Sequence, residues 1–348
     1  MKTEAAVYKL PVLGALSLFL STVEYMIPKP LPFLRLGLAN APLLIALRFP
    51  PSTFFTLVFI KIFGQALISG TLFSYIFLLS LTGTMASASC MYILRRIVSG
   101  KYMSLAGISV TGSLVSNFTQ IALARFFFMG EAAVYIVPPF LAAGIVSGMA
   151  LGLFCERFIE ISRWYKRAPP EILQPPPINI AVSVPDTGGF PLLLFFCGLS
   201  LSFFMLLTTS FSCRLILFAI FLIAAVFSGK AGNLLFTLVF FLLIVMFNAL
   251  SPYGRVIFEA GVFRLTEGAL MRGIERAVTV EGLVMLSRVT ISSRLRLPGR
   301  VGGLLSEAFL LLPRFYEKKT AIHVKTFMQD IDTLLLELSE QKQRQPEP

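Results

Sequence analysis

Charged residues are scarce in this chain. Of its 348 residues, 14% are charged and 56% are hydrophobic, and the mean hydropathy is +0.81. A soluble globular domain carries roughly 25% charged residues. A chain so poor in charge cannot cover a water-facing surface, so the composition excludes an ordinary soluble protein.

The residues that usually build catalytic and metal sites are equally rare. The sequence has one histidine, His323, only three aspartates, and four scattered cysteines with no CxxC pair. A His/carboxylate metal site is therefore not expected. The chain also lacks a GxxxxGK[ST] loop for nucleotide phosphates, a Ser/His/Asp set and a cluster of paired carboxylates. We predict that this chain is not an enzyme and uses no metal or cofactor.

Apolar stretches close to the ~20 residues that cross a bilayer recur along most of the sequence. They are rich in Leu, Phe and Ile and lack the alternation of a β-barrel strand, so they predict helices. The fold class is therefore all-α, a polytopic membrane protein. We place six spans in the first half, at about 7–27, 36–49, 51–70, 72–94, 104–127 and 133–160.

The basic residues predict how these six spans are threaded. With the N-terminus inside, the inner loops hold ten Lys and Arg residues and the outer loops hold three. This bias follows the positive-inside rule and predicts a protein of the cytoplasmic (inner) membrane with a cytoplasmic N-terminus. It also explains the net charge of +12 without a nucleic-acid partner.

A proline-rich segment divides the chain. Five prolines fall within residues 168–177, which favours an extended linker. We predict a membrane domain at 1–165, a cytoplasmic linker at 166–188, a second helical membrane domain at 189–340 and a disordered tail at 341–348.

Charges punctuate the second domain between about 256 and 313. They predict amphipathic cytosolic helices, or helices buried against a partner, rather than lipid-facing spans. An apolar stripe of helical period follows, from Val324 to Leu338. That stripe fits either a helix packed on its own domain or a partner-binding helix.

The loop after the first span is a candidate gate for a solute. Pro28, Pro30 and Pro32 force an extended chain, and Glu24 and Arg35 flank it near the outer face. The alternative is a helix-breaking connector with surface charges.

Polar residues inside the spans suggest where a solute binds, because they are costly in lipid and usually face a cavity or another helix. Lys61 and Gln65 share one helix face, as do Asn117 and Gln120. These four residues and Asn40 are the five candidate substrate-binding residues. The alternative is that their side chains make hydrogen bonds between helices. In the sixth span, a stripe of small residues predicts close helix packing at Gly144, Gly148 and Gly152.

These motifs resemble a known family. Glu24, the Pro-x-Pro-x-Pro loop, Arg35-Leu-Gly-Leu-Ala-Asn40 and Asn117-Phe-Thr-Gln120 are similar to the Gx transporter family, also catalogued as heptaprenyl diphosphate synthase component I. That family looks like the substrate-binding S-component of energy-coupling factor (ECF) vitamin transporters. The resemblance covers about residues 7–160 and implies a six-helix bundle with an outward-facing pocket beneath the first loop.

The second half weakly resembles the ECF T-component over about 210–315. This resemblance implies contact with separate ATPase subunits, for which Arg294, Arg296 and Arg314 are the candidate coupling residues. The synthase name implies different chemistry, but magnesium-binding DDxxD motifs are absent from the sequence.

Three hypotheses follow. The leading one is a membrane transporter subunit that binds a small, amphipathic solute from outside and is driven by separate ATPases. The alternative is a membrane accessory subunit of isoprenoid or quinone metabolism. The third is a structural scaffold, which would leave the polar residues in the spans without a purpose.

Overall fold

The computed structural model describes residues 2–26, 37–98, 102–167, 190–260, 263–290, 299–317 and 326–344. The proline-rich linker at 168–189 and the proline loop at 27–36 lie outside the described residues. Helices dominate the N-terminal half: α1 (Lys2–Met26), α2 (Ala41–Ile45), α3 (Pro51–Ser69), α4 (Tyr75–Ile97), α5 (Leu105–Ala124), α6 (Val137–Ile161) and the one-turn α7 (Arg163–Lys166).

The second predicted span differs from the expectation. Residues 36–49 do not form one crossing helix; α2 has five residues, and a short 3-10 turn flanks it on each side. Gly37 in a left-handed conformation precedes this segment, and Pro50 and Pro51 follow it. Eleven residues rise about 16 Å as a helix, which is too short to cross a bilayer alone.

Two sets of contacts join helix ends that are predicted to lie on the inner side. Near the start of α1, the Lys9 ammonium donates hydrogen bonds to the carbonyls of Trp164 and Tyr165 at 3.1 and 3.0 Å. The carbonyl of Phe49 accepts hydrogen bonds from Tyr92 and Arg96 in the last turns of α4. The inner end of the bundle is thus closed by contacts between segments that are predicted to be inner.

Close approach of α5 and α6 depends on the glycine stripe of the sixth span. The Ser113 hydroxyl donates a 2.7 Å hydrogen bond to the carbonyl of Gly144. A Cβ on Gly152 would lie 2.4 Å from the Cα of Ala106, so only glycine fits there. Small residues let the two backbones touch, as they do in many membrane bundles.

The first part of the C-terminal half, up to residue 290, contains four helices and a short hairpin within its described residues. These are α8 (Phe190–Leu207), α9 (Phe211–Phe227), α10 (Leu234–Ala249), β1 (Val256–Ala260), β2 (Phe263–Thr266) and α11 (Glu267–Thr290). The two strands pair antiparallel. They are a local exception in an otherwise helical fold.

Helix α11 is the centre of this half. It packs against α8, α9 and α10, and every side chain from Ala277 to Ser287 is buried, including that of Glu281. Of the two alternatives for the charged region, α11 therefore corresponds to a buried helix, although its partners belong to the same chain. The Ser287 hydroxyl also accepts a 3.1 Å hydrogen bond from the backbone of Phe73, which joins α11 to the α3–α4 connection.

The last two helices, α12 (Gly299–Glu317) and α13 (Phe327–Arg344), return to the N-terminal half. α12 packs on α1 and α3, where Gly14 and Gly64 leave room for Ala308 and Leu305. The structure thus differs from the predicted division at 189–340, because these helices share the core of the first domain. α13 continues to Arg344, into the predicted tail at 341–348, and residues 345–348 lie outside the described residues.

The described helices confirm an all-α membrane protein. Three segments are long and apolar enough to cross a membrane, Pro51–Ser69, Tyr75–Ile97 and Ala133–Ile161. Shorter apolar helices lie at Leu193–Leu207, Phe211–Phe227 and Leu234–Ala249. Many large apolar side chains face outward, among them Val146 and Leu207, with 71% and 76% of their surface exposed. Such a surface is stable in lipid rather than in water.

The α5–α6 contact gives the first testable prediction. Gly152→Leu should lower the stability of the protein by roughly 2–3 kcal/mol, because the new side chain must displace the backbone of α5. Ala142→Leu, on the exposed face of the same helix, should leave stability nearly unchanged. Thermal unfolding in detergent measures both, and equal effects of the two substitutions would contradict this packing.

Candidate functional site

A hydrogen-bonded polar cluster lies in the interior of the N-terminal half. It consists of Glu24 on α1, Gly37 and Asn40 beside α2, and Lys61 on α3. The Glu24 carboxylate accepts a 3.2 Å hydrogen bond from the backbone of Gly37, and Lys61 donates to the side-chain oxygen of Asn40. Lys61 and Glu24 are buried, with 4% and 6% of their surface exposed. The structure therefore brings three of the predicted site residues together.

The local backbone explains why this cluster forms. Gly37 has φ +80°, a conformation that favours glycine, and its carbonyl accepts a 2.8 Å hydrogen bond from the backbone of Asn40. The Ser17 hydroxyl of α1 donates a 2.9 Å hydrogen bond to the carbonyl of Ala39. These contacts hold the start of the α2 segment against α1, with the Asn40 side chain directed to α3.

A small polar cavity lies beside the cluster, which we call the serine cavity. Its volume is about 20 Å³, enough for about one water molecule. Asn40 lines it from the α2 segment, and hydroxyl groups line it from α4, α5 and α6. These are Ser87, Ser109, Ser113 and Ser147.

A larger apolar cleft adjoins the serine cavity. It has a volume of about 590 Å³ and lies between α1 and α6, with α2 and α13 completing its walls. Ser147 and Leu151 line both spaces, so the serine cavity and the apolar cleft lie on either side of these two residues. The remaining lining is mainly aliphatic and aromatic: Leu16, Phe19, Leu20, Val23, Leu38, Ala41, Ile45, Ala150, Phe154, Phe158, Phe327 and Ile331.

Helix α13 lines the apolar cleft, and the carboxylate of Asp332 makes most of its hydrogen bonds to the end of α6 and to α7. Asp332 accepts hydrogen bonds from the hydroxyl of Ser162 and from the backbone N–H groups of Arg163 and Trp164, the latter two at 3.0 and 3.1 Å. The indole of Trp164 in turn donates a 2.7 Å hydrogen bond to Ser339. The Asp332 carboxylate therefore caps α7 and ties α13 to the end of α6.

Other predicted site residues do not join the polar cluster. Gln65 is half-buried one turn beyond Lys61, and its side chain makes no hydrogen bond within the described part of the chain. Asn117 donates a 2.8 Å hydrogen bond to the carbonyl of Phe140, which ties α5 to α6. Gln120 donates a 2.9 Å hydrogen bond to Ser116 on its own helix. The Asn117 contact is the interhelical alternative to binding.

Most of the predicted gate and coupling residues lie outside the part of the chain that the structure describes. Arg35, Arg294 and Arg296 fall outside the described residues. Arg314 is exposed near the end of α12. Within the described ranges, no group of three or more His, Cys, Asp or Glu side chains is placed to hold a metal ion.

The comparisons with known proteins divide the chain in the same way as its fold. Residues 13–158 match the family of heptaprenyl diphosphate synthase component I. This match confirms the resemblance carried by the motifs of the N-terminal half and covers α1 to α6. Residues 191–293, which contain α8 to α11, match a domain of unknown function (DUF8519). No curated protein and no solved structure matches the chain.

The sequence gives no signal for the apolar cleft. Its walls come from segments as distant as Leu16 and Ile331, and each segment alone reads as an ordinary apolar helix face. Asp332 does carry a signal, since it is one of only three aspartates and lies within the apolar stripe. A charged side chain at a buried position of an apolar stripe indicates a specific hydrogen-bonding partner.

The α13 attachment can be tested directly. Asp332→Asn removes the charge that accepts three hydrogen bonds and should lower the stability by roughly 2–4 kcal/mol, because hydrogen bonds to a buried charged group are strong. Protease cleavage within α13 should become faster at the same time. Asp330→Asn is the matched control, because Asp330 is only partly buried and pairs with Thr326 in the first turn of α13. If both variants behaved alike, Asp332 would not be what holds α13.

Proposed function

We propose that this chain is a membrane subunit that binds a small amphipathic solute in the apolar cleft. The observation that carries this proposal is the shared wall at Ser147 and Leu151, with the apolar cleft of about 590 Å³ on one side and the serine cavity on the other. A cleft of this volume lies within the usual 300–1,000 Å³ of ligand sites. An apolar cleft that lies next to a few polar groups suits a molecule with a long apolar part and a polar end.

The polar end of the solute would meet Asn40 and the serine hydroxyls. Lys61 holds the side chain of Asn40, and Glu24 holds the backbone that precedes it. In this proposal Lys61 and Glu24 are positioning residues for the cavity wall. The polar atoms of the solute would replace the water that the serine cavity can hold.

The contacts of the C-terminal half favour a lateral route to the cleft. Gly70 on the α3–α4 connection lies against Arg288, and Gly130 on the α5–α6 connection lies against Arg276. Helices α10 and α11 therefore cover this end of the bundle, which is the predicted outer end. α2 separates α1 from α6, and we place solute entry between those two helices.

Uptake driven by separate ATPases is the mechanism that the resemblance to ECF S-components supports. Binding would belong to α1–α6. The last two helices would transmit the action of the ATPases, because α13 is attached at Trp164, at the predicted inner end of the bundle. We place the outer end of the bundle on the extracytoplasmic side because of the distribution of Lys and Arg.

A second candidate is an accessory subunit of isoprenoid metabolism. The description of the matched family, heptaprenyl diphosphate synthase component I, favours it. A prenyl chain is apolar and would suit the cleft, while the catalytic aspartates would belong to a soluble partner. Affinity purification separates the two candidates, since one predicts copurifying ATPases and the other a soluble subunit with DDxxD motifs.

Solute binding is tested on protein extracted from its native membrane. Mass spectrometry should find a small amphipathic molecule bound to the protein after the bulk lipid has been removed. Lys61→Ala should reduce its occupancy about tenfold, the effect of losing one charge-assisted hydrogen bond that positions Asn40. Thr56→Ala, also on α3, is the matched control and should keep the wild-type occupancy, because its hydroxyl donates only to the carbonyl of Ser52 on the same helix.

A substitution that fills the apolar cleft is a second, independent test of solute binding. Ala150→Trp places an indole in the cleft wall and should abolish occupancy, whereas Ala142→Trp on the exposed face of α6 should not. If Ala150→Trp left the bound molecule in place, the cleft would not be its site.

A further inference from the structure

Two arginines lie half-buried where the C-terminal half meets the N-terminal bundle. Arg276 on α11 donates a 2.6 Å hydrogen bond to the side-chain oxygen of Asn248. Arg214 on α9 donates a 2.8 Å hydrogen bond to the carbonyl of Thr208 and reaches Thr279 at 3.5 Å. Thr279 follows Arg276 by three residues on α11, so the two guanidinium groups face the same turn of that helix.

Neither arginine has a carboxylate partner among the described residues. Another cation, Arg272, lies one turn earlier on α11 and repels the charge of Arg276. Glu281 on the same helix lies near Arg288 instead. Buried charges are usually paired, so two partly desolvated guanidiniums leave an excess of positive charge at this interface.

The guanidinium groups of Arg214 and Arg276 also have N–H donors that the described contacts do not use. Each guanidinium has five N–H donors, and the described contacts use one from Arg276 and two from Arg214. The hydroxyl of Tyr75, at the start of α4, lies near both cations and has no hydrogen-bond partner within the described ranges. Three groups with unused donors, from α4, α9 and α11, are therefore neighbours in this region.

The backbone at Gly130 leaves space for the guanidinium group of Arg276. A Cβ on Gly130 would lie 2.8 Å from a terminal nitrogen of Arg276, so a larger residue there would collide with the side chain. Asn248 is held in turn by a 2.8 Å hydrogen bond from its own amide to the carbonyl of Ile244. Arg276 is thus placed by Gly130 on one side and by Asn248 of α10 on the other.

We propose that Arg214, Arg276 and Tyr75 form a binding site for a phosphate group at the interface of the two halves. Phosphate offers several acceptor oxygens and pairs with guanidinium groups in bidentate fashion. Its negative charge would offset the unpaired arginines. The phosphate comes either from the headgroup of an acidic lipid or from a soluble phosphate compound.

The surface beside the site favours the lipid source. Leu207, Leu215 and Ile216, around the α8–α9 turn, expose 76%, 44% and 60% of their surface. Apolar side chains next to a cationic site can contact acyl chains while the arginines hold the headgroup. This site is separate from the apolar cleft, which lies between α1 and α6.

The full chain, purified in detergent, tests this site in two arms. In the first arm it is incorporated into nanodiscs of phosphatidylglycerol or of phosphatidylcholine, and bound lipid is counted by native mass spectrometry. In the second arm inorganic diphosphate is titrated by calorimetry in the absence of lipid. Retention of phosphatidylglycerol identifies a lipid headgroup, and diphosphate binding alone identifies a soluble source.

Substitutions decide whether the arginines form the site. Arg214→Gln and Arg276→Gln should each weaken binding of the responsive ligand about tenfold, while Arg157→Gln, whose exposed partner is Glu160 at 3.0 Å, should not. Arg276→Lys keeps the charge but loses the planar fork, so it should give an intermediate loss and is the substitute if a glutamine variant does not fold. Binding of neither ligand to the wild type, or equal binding to the arginine variants, would overturn the proposal.

Discussion

The α2 segment is held between α1, α3 and α6 by a few buried hydrogen bonds, and the interior of the N-terminal half depends on them. The hydroxyl of Ser17 and the ammonium of Lys61 fix two adjacent residues, Ala39 and Asn40, from opposite sides. A full-length apolar helix in this place would bury its backbone groups within itself. The short, interrupted segment instead presents polar groups to the interior and separates α1 from α6. The apolar cleft and the serine cavity both exist because of that separation.

The shortness of α2 also explains why α12 and α13 return to the N-terminal half. With α2 so short, α1 leaves apolar surface uncovered, and α12 and α13 bury it through Ala308, Phe315 and Leu335. Phe327 and Ile331 then complete the wall of the apolar cleft. One chain thus supplies both the bundle and the helix that closes it. A change at the Asp332 attachment would be felt at the cleft, since α13 is common to both.

Much of the fold could be predicted from sequence, because lipid imposes length and hydropathy on each crossing helix. The glycine stripe at Gly144, Gly148 and Gly152 also predicts a contact, since small residues have little other purpose at that spacing. The site was less predictable. The period of a helix shows that Asn117 and Gln120 share a face, but not that Asn117 meets the carbonyl of Phe140. Likewise the charges of α11 indicate an unusual environment, whereas the burial of Glu281 where α11 packs against α8, α9 and α10 is a property of the tertiary structure.

The claim that an amphipathic molecule occupies the space between α1 and α6 is tested most directly by electron cryo-microscopy of the protein in nanodiscs made with its native lipids. We expect an elongated density in the apolar cleft that runs from Phe327 towards Ser147 and ends beside the serine hydroxyls. A map in which α1 packs directly on α6, with no space between Phe19 and Phe154 for a ligand, would contradict the account.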